Sequence, residues 1–149
     1  MIKCRRLAIY EYYKNRFATL EAAGCLRTPH VPDNRKNHCW TFYLLLESGE
    51  VRDNLLAYLK SHGVSAVFHF VPLHLSPMGR AFGYREGDLP ITEDLASRIL
   101  RLPSFGTITR DQQNRVVDLI TAYLNTSKTS MTTSYSLLTA HGVLEGIPR

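Results

Sequence analysis

The chain has 149 residues, of which 44% are hydrophobic and 21% charged, and it carries a formal net charge of +5. That length and balance describe one domain able to bury a core, and they exclude a disordered polyelectrolyte. The longest apolar runs, such as "FYLLL" at 42–46, fall far short of the roughly 20 residues that a spanning helix needs, so no membrane insertion is expected.

In chain order, Ile9, Tyr10, Tyr13, Phe17 and Leu20 recur at three- and four-residue steps and predict a helix over 4–23, with Gly24 as its stop. This face reads as core or interface rather than as a ligand-stacking surface, and Tyr12 should point away from it. The two prolines and turn formers of "RTPHVPDNRKNH" (27–38) predict an extended connector. "CWTFYLLL" (39–46) is too short for a helix and reads as a buried strand. Val51, Leu55 and Leu59 predict a helix over 51–63, stopped by Gly63.

"VSAVFHF" (64–70) reads as a second strand, ended by Pro72, and the Gly/Pro-rich stretch 75–91 as an exposed loop. Thr92 is expected to cap a helix to about Leu100, with Glu93 and Asp94 in its first turn, and "RLPSF" (101–105) to be a short extended piece. Thr109 to Gln112 form a capping box for a last helix with Val116, Val117, Ile120 and Leu124 on one face. The expected fold class is therefore α+β, with helices packed on a small antiparallel or mixed sheet. The folded domain is expected over 1–124, and the hydroxyl-rich segment 125–149 reads as a flexible or added tail.

Several chemistries are disfavoured. The opening "MIKCRRLAIYEYYKNRF" is charged throughout and lacks the apolar core of a secretory signal. Cys4, Cys25 and Cys39 are odd in number without CxxC spacing, so reduced thiols and a cytoplasmic location are expected. The candidate metal ligands His30, His38, Cys39, His62, His69 and His74 lack the paired spacing of structural zinc sites, and no metal is expected. There is no GxSxG elbow, and "MGRAFGYREG" does not open onto an apolar helix as a phosphate loop does. The positive charge suits nucleic acid in amount, but Arg5, Arg6, Arg16, Arg52, Arg80, Arg98 and Arg115 are scattered over different elements, so nucleic-acid binding is not expected. What stands out is "VFHFVPLHLSP" (67–77), which sets His69 and His74 around a proline in an apolar run. A metal site, a catalytic base, a substrate loop and core packing are all open readings of it.

Taken in order, "RRLAIYEYYKNRF" (5–17), "VFHFVPLHLSP" (67–77) and "LASRILRLPSFGTITRDQQNRVVDLITAYL" (95–124) resemble the C-terminal third of the DegT/DnrJ/EryC1/StrS family of nucleotide-sugar aminotransferases. The match runs through His69, Pro72, Leu73, His74, Leu102 and Pro103, and departs at Phe70, where the family commonly carries Tyr. The resemblance implies the small domain of a fold-type I aminotransferase, with His69, Phe70 and His74 as substrate-binding residues and no catalytic residue in this chain. It further implies pyridoxal phosphate as the cofactor of the full-length enzyme, with a nucleotide-linked sugar and glutamate as substrates. The reaction implied converts a dTDP-4-keto-6-deoxy sugar to its 4-amino sugar for lipopolysaccharide or common-antigen synthesis, in a homo-oligomer.

Lys3, Lys14, Lys36, Lys60 and Lys128 show no cofactor-lysine setting, so no covalent cofactor and no activity are expected of this chain alone. The alternative is a free-standing binding or assembly module for a nucleotide, RNA or partner subunit, without catalysis.

Overall fold

The computed structural model describes residues 2–140, with side chains through Thr126. Helix α1 (Ile2–Ala22) turns Ile9, Tyr10, Tyr13, Phe17 and Leu20 inward, the periodic set that the sequence marks out. Tyr10 and Tyr13 bury their rings without orphaning their hydroxyls: they donate to the carbonyls of Pro29 (3.2 Å) and Pro103 (2.9 Å). Burial pushes both phenols above their ordinary pKa. Tyr12 does face elsewhere, toward the last helix. There its hydroxyl meets Asn114 and accepts from the Arg16 guanidinium (2.7 Å), while Arg110 lies over its ring.

Strands β1 (Phe42–Leu45), β2 (Val67–Phe68) and β3 (Ile99–Leu102) form one antiparallel sheet in the order β1–β3–β2. The register sets Phe42 opposite Leu102, Leu44 opposite Leu100, and Tyr43 and Val67 on either side of Arg101. Helix α2 (Gly49–Ser61) packs Leu55 and Leu59 into the core and is capped by Ser48, whose hydroxyl accepts from the Val51 N–H at 3.2 Å. The expected α+β class with a small antiparallel sheet is what the chain adopts.

Local differences from the expectations have identifiable causes. The first strand begins at Phe42 rather than at Cys39, because Cys39 sits at φ 52, a left-handed conformation that no strand continues through. The Asn37 side chain holds that turn by accepting from the Cys39 N–H at 2.8 Å. The second strand shrinks to Val67–Phe68, an edge that pairs with β3 only at Arg101 and Leu100 before the chain reaches Pro72.

Part of the stretch expected to be loop carries short helices, a 3₁₀ turn (Leu73–Leu75) and α3 (Pro77–Ala81), capped by the Ser76 hydroxyl, while residues 82–89 are the loop that the sequence marks out. Thr92 caps nothing: α4 (Pro90–Arg98) starts earlier, with Pro90 in its first turn and Leu89 at the cap. The final helix α5 (Arg110–Ala140) opens on the expected reciprocal box. Gln112 Oε1 takes the Thr109 N–H (2.9 Å), and Thr109 Oγ1 takes the Gln112 N–H (3.2 Å). It buries Val116, Val117, Ile120 and Leu124 and runs on past Leu124 to Ala140. Residues 141–149, the remainder of the expected tail, lie outside the described residues.

Phe42 is fully buried among the α1 rings, 5.1 Å from Tyr10 and 5.2 Å from Tyr13. Phe42→Ala is therefore expected to cost about 3–5 kcal/mol in urea denaturation, against about 1 kcal/mol for removing the exposed cap with Thr109→Ala.

Candidate functional site

The site is built on the alternation of β3. Leu100 and Leu102 point into the core, so Arg101 between them must stand on the opposite face, where Tyr43 and Val67 flank it across the ladder. Its guanidinium carbon lies 5.4 Å from the centroid of Trp40 and 5.4 Å from that of Phe70. This is a cation held between two aromatic rings. Arg101 Nε reaches Thr41 Oγ1 at 3.4 Å, and no carboxylate lies within ion-pair distance among the described residues.

His69 completes the cluster. Its ring is 5.1 Å from that of Phe70, and its Nδ1 is buried with no hydrogen-bond partner. Partial burial, reinforced by the positive charge of Arg101, lowers its pKa and favours the neutral imidazole.

His74 is placed differently. It is buried, with Nε2 2.8 Å from Glu93 Oε1, and its ring contacts Tyr84 edge-on. The same carboxylate accepts the N–H groups of Gly87 (3.0 and 3.1 Å) and Leu89 (3.3 Å). One Glu93 side chain therefore gathers the 3₁₀ turn, the 83–89 loop and the start of α4. Gly87 serves because φ +92 is a conformation that other residues adopt only with strain. Gly79 serves because a Cβ there would come within 2.3 Å of the His74 carbonyl, so α3 lies directly against the 3₁₀ turn. The hydrogen bond from His74 and those from the loop amides hold the Glu93 carboxyl below its ordinary pKa.

Of the three residues picked out from the sequence, His69 and Phe70 thus join Arg101 and Trp40, while the Nε2 of His74 is engaged by Glu93. The sequence reading passed over Arg101, Trp40 and Gly79. The available signal for Arg101 was a lone cation between two leucines in "ILRLP", at a period of two. Nothing local marked Trp40, whose partner lies far along the chain.

The surroundings narrow the chemistry. Among the described residues no group of three His, Cys, Asp or Glu side chains is placed to hold a metal ion, and no helix is long and apolar enough to cross a membrane. Lys3, Lys36 and Lys60 are exposed, and Lys14 is tied to Glu21 at 3.2 Å. None has the desolvated setting that a Schiff-base lysine needs, so these residues do not fit covalent pyridoxal phosphate. Burial raises the Cys39 thiol pKa, which disfavours the thiolate. Arg16, Arg52 and Arg98 are paired with Asp118, Asp53 and Asp94. Ten exposed large apolar side chains, including Phe70, Leu73, Met78 and Phe82, fall between residues 67 and 91, beside the cluster.

A three-stranded antiparallel sheet with α1, α2 and α5 packed on it is the architecture of a domain from solved aminotransferases. TlmJ from Streptoalloteichus hindustanus superposes with a TM-score of 0.73 at 28% identity, over 85% of this chain and 32% of that one. A pleiotropic regulatory protein of Geobacillus stearothermophilus is 36% identical over 105 residues, 69% of this chain and 27% of the relative. A dTDP-3-amino-3,4,6-trideoxy-alpha-D-glucose transaminase of Streptomyces venezuelae is 33% identical over 117 residues, 78% of this chain and 29% of the relative. The sequence profile of the DegT/DnrJ/EryC1/StrS aminotransferase family matches residues 1–121. The chain belongs to that family, and it spans less than a third of the length of these relatives.

The Glu93 clamp has a testable pH signature. A carboxyl whose folded pKa is depressed contributes stability above its unfolded pKa, and that contribution is lost as pH falls through the folded value. The amide proton shifts of Gly87 and Leu89 should therefore titrate with an inflection below the ordinary carboxylate range in NMR spectra, and Glu93→Gln should abolish that inflection.

Proposed function

We propose that this chain is the C-terminal small domain of a pyridoxal-phosphate-dependent aminotransferase, which moves the amino group of glutamate onto the keto carbon of a nucleotide-linked sugar. The sugar is a dTDP-4-keto-6-deoxyhexose, and its 4-amino product serves lipopolysaccharide or common-antigen synthesis. The observation that carries this reading is the His69–Phe70–Arg101–Trp40 cluster on an open sheet face, flanked by the apolar 67–91 stretch. A recognition surface beside an uncovered apolar flank suits a cleft whose other wall comes from another domain or subunit. The kinship with a dTDP-sugar transaminase supports the substrate class.

The cofactor, bound by the part of the enzyme that carries its lysine, supplies the electron sink for amino transfer. This domain binds and orients. His69 lines the cluster with a ring whose buried Nδ1 no protein group engages, Phe70 offers an apolar wall without the family's hydroxyl, and Arg101 supplies fixed positive charge. His74 acts through position: by holding Glu93 it fixes the turn that follows Pro72, and so the direction in which the His69–Phe70 segment leaves the sheet. The working enzyme is a cytoplasmic homo-oligomer, in which the flank beside the cluster is covered.

Incubated alone with pyridoxal phosphate and borohydride, the chain should acquire no label on any single lysine by mass spectrometry and should show no transamination. One specifically fixed lysine would overturn the reading. Fused behind the large domain of the Streptomyces venezuelae relative, it should support cofactor-dependent amino transfer, and His69→Ala should reduce kcat/KM roughly tenfold or more.

A further inference from the structure

We propose that residues 83–89 are a lid: a preformed turn, hinged at Gly83 and latched by the Glu93 carboxylate, that opens locally and closes over the mouth of the cleft. The local opening stands on this chain by itself, and the closing over a cleft rests on the proposed function.

The turn keeps its shape without help from the domain. The Arg85 carbonyl accepts the Asp88 N–H at 3.3 Å, and Asp88 Oδ2 accepts the Arg85 N–H at 2.8 Å. Gly87 stands third in this four-residue turn at φ 92, where a left-handed backbone closes the turn and glycine adopts it without strain. A body of this kind can move without first unravelling.

Its attachments to the domain converge on one residue. Among the described residues, every hydrogen bond that residues 85–89 make outside the turn ends on Glu93. The Gly87 and Leu89 N–H groups donate to its carboxylate, and its own N–H donates to the Leu89 carbonyl at 3.0 Å. Residues 81–92 are all exposed, so lifting the turn uncovers little apolar surface. What opposes opening is therefore the carboxylate. His74 Nε2, buried behind it at 2.8 Å, keeps that carboxylate in place.

On the α3 side the chain passes through Gly83 at φ 94, where a Cβ would meet nothing within 4 Å. Glycine is required there by backbone conformation and not by crowding, and the same freedom lets the turn swing about that point. On the α4 side the swing stops at Pro90, whose ring fixes the first turn of the helix. The moving element carries Tyr84 and Leu89, with Phe82 beside the hinge, all three exposed. A lid bearing these groups brings apolar surface to a cleft and sequesters it from water.

Amide exchange followed by NMR on the intact chain tests the latch. Gly87 and Leu89 should exchange at least a hundredfold faster than Leu45 and Leu46, whose N–H groups donate to the Arg27 and Arg98 carbonyls at 2.8 and 3.2 Å. Low urea should leave the first pair unchanged and accelerate the second, since local opening exposes little surface. Glu93→Gln should speed Gly87 and Leu89 at least tenfold without affecting Leu45 and Leu46. Equal rates and urea dependence for both pairs, no response to Glu93→Gln, or a common acceleration of all four amides would each overturn the latch.

The closing is read in the fusion with the large domain of the Streptomyces venezuelae relative, from deuterium uptake of a peptide spanning 82–90. Saturating dTDP-4-keto-6-deoxyhexose should slow that uptake at least fivefold. Gly83→Ala, which strains the hinge and touches no Glu93 contact, should lower kcat at least threefold. An active fusion whose 82–90 uptake ignores the substrate would overturn the lid and leave the proposed function standing. A folded fusion that binds pyridoxal phosphate but does not transaminate would overturn the proposed function and the closing with it, while the exchange result on the chain alone still decides the latch.

Discussion

Phe42 is enclosed by three rings of one helix, those of Tyr10, Tyr13 and Phe17, at centroid distances of 5.1, 5.2 and 6.3 Å. The cluster is buried, and the one polar side-chain atom on Tyr13 is satisfied by the Pro103 carbonyl just beyond β3. Because Phe42 cannot turn outward without opening this packing, the facing of β1 is set. A one-residue slip of β3 would carry Leu100 and Leu102 into water, so the register of the central strand follows. The outward direction of Arg101 is the remainder of that constraint: it faces the open side because its two neighbours cannot. The candidate site is thus a consequence of core packing more than of any local motif.

The histidines of the "VFHFVPLHLSP" stretch divide the work of one segment. Pro72 denies the chain a strand continuation, and the 3₁₀ turn that follows is pressed against α3 at Gly79, where backbone meets backbone without room for a methyl group. His74 is trapped in that turn with a carboxylate at 2.8 Å, a position from which it can stiffen the loop but has its Nε2 already engaged. His69 leaves the sheet before the turn, on the side where β3 presents its arginine. Electrostatics then separates the two rings further. His74 Nε2 lies against the Glu93 carboxylate, whereas burial and the positive charge of Arg101 favour the neutral form of His69. Two similar side chains five residues apart therefore reach opposite environments.

Much of the architecture was readable along the chain, because helices and caps are local. The α1 face, the α2 face, the α5 face and the reciprocal Thr109–Gln112 box all follow from three- and four-residue periodicity and short-range hydrogen bonds. The readings that moved were those that depend on a partner elsewhere. Strand β1 lost its first residues to the Cys39 turn, strand β2 pairs with β3 only at Val67 and Phe68, and α4 began at Pro90 because Glu93 and the proline, not Thr92, organise its start.

By itself, then, the sequence determined the α+β class, the core-facing residues of the long helices, the family resemblance carried by three ordered motifs, and the pairing of His69 with Phe70 in one short segment. Only the tertiary structure decided that His74 is held by Glu93, that Arg101 and Trp40 belong with His69 and Phe70, and that Gly79 is required by a backbone contact. The physical reason is separation in sequence. Trp40, Phe70 and Arg101 lie on three different stretches that meet only through the sheet register, and that register is set by the burial of Phe42, Leu44, Leu100 and Leu102 on its other face.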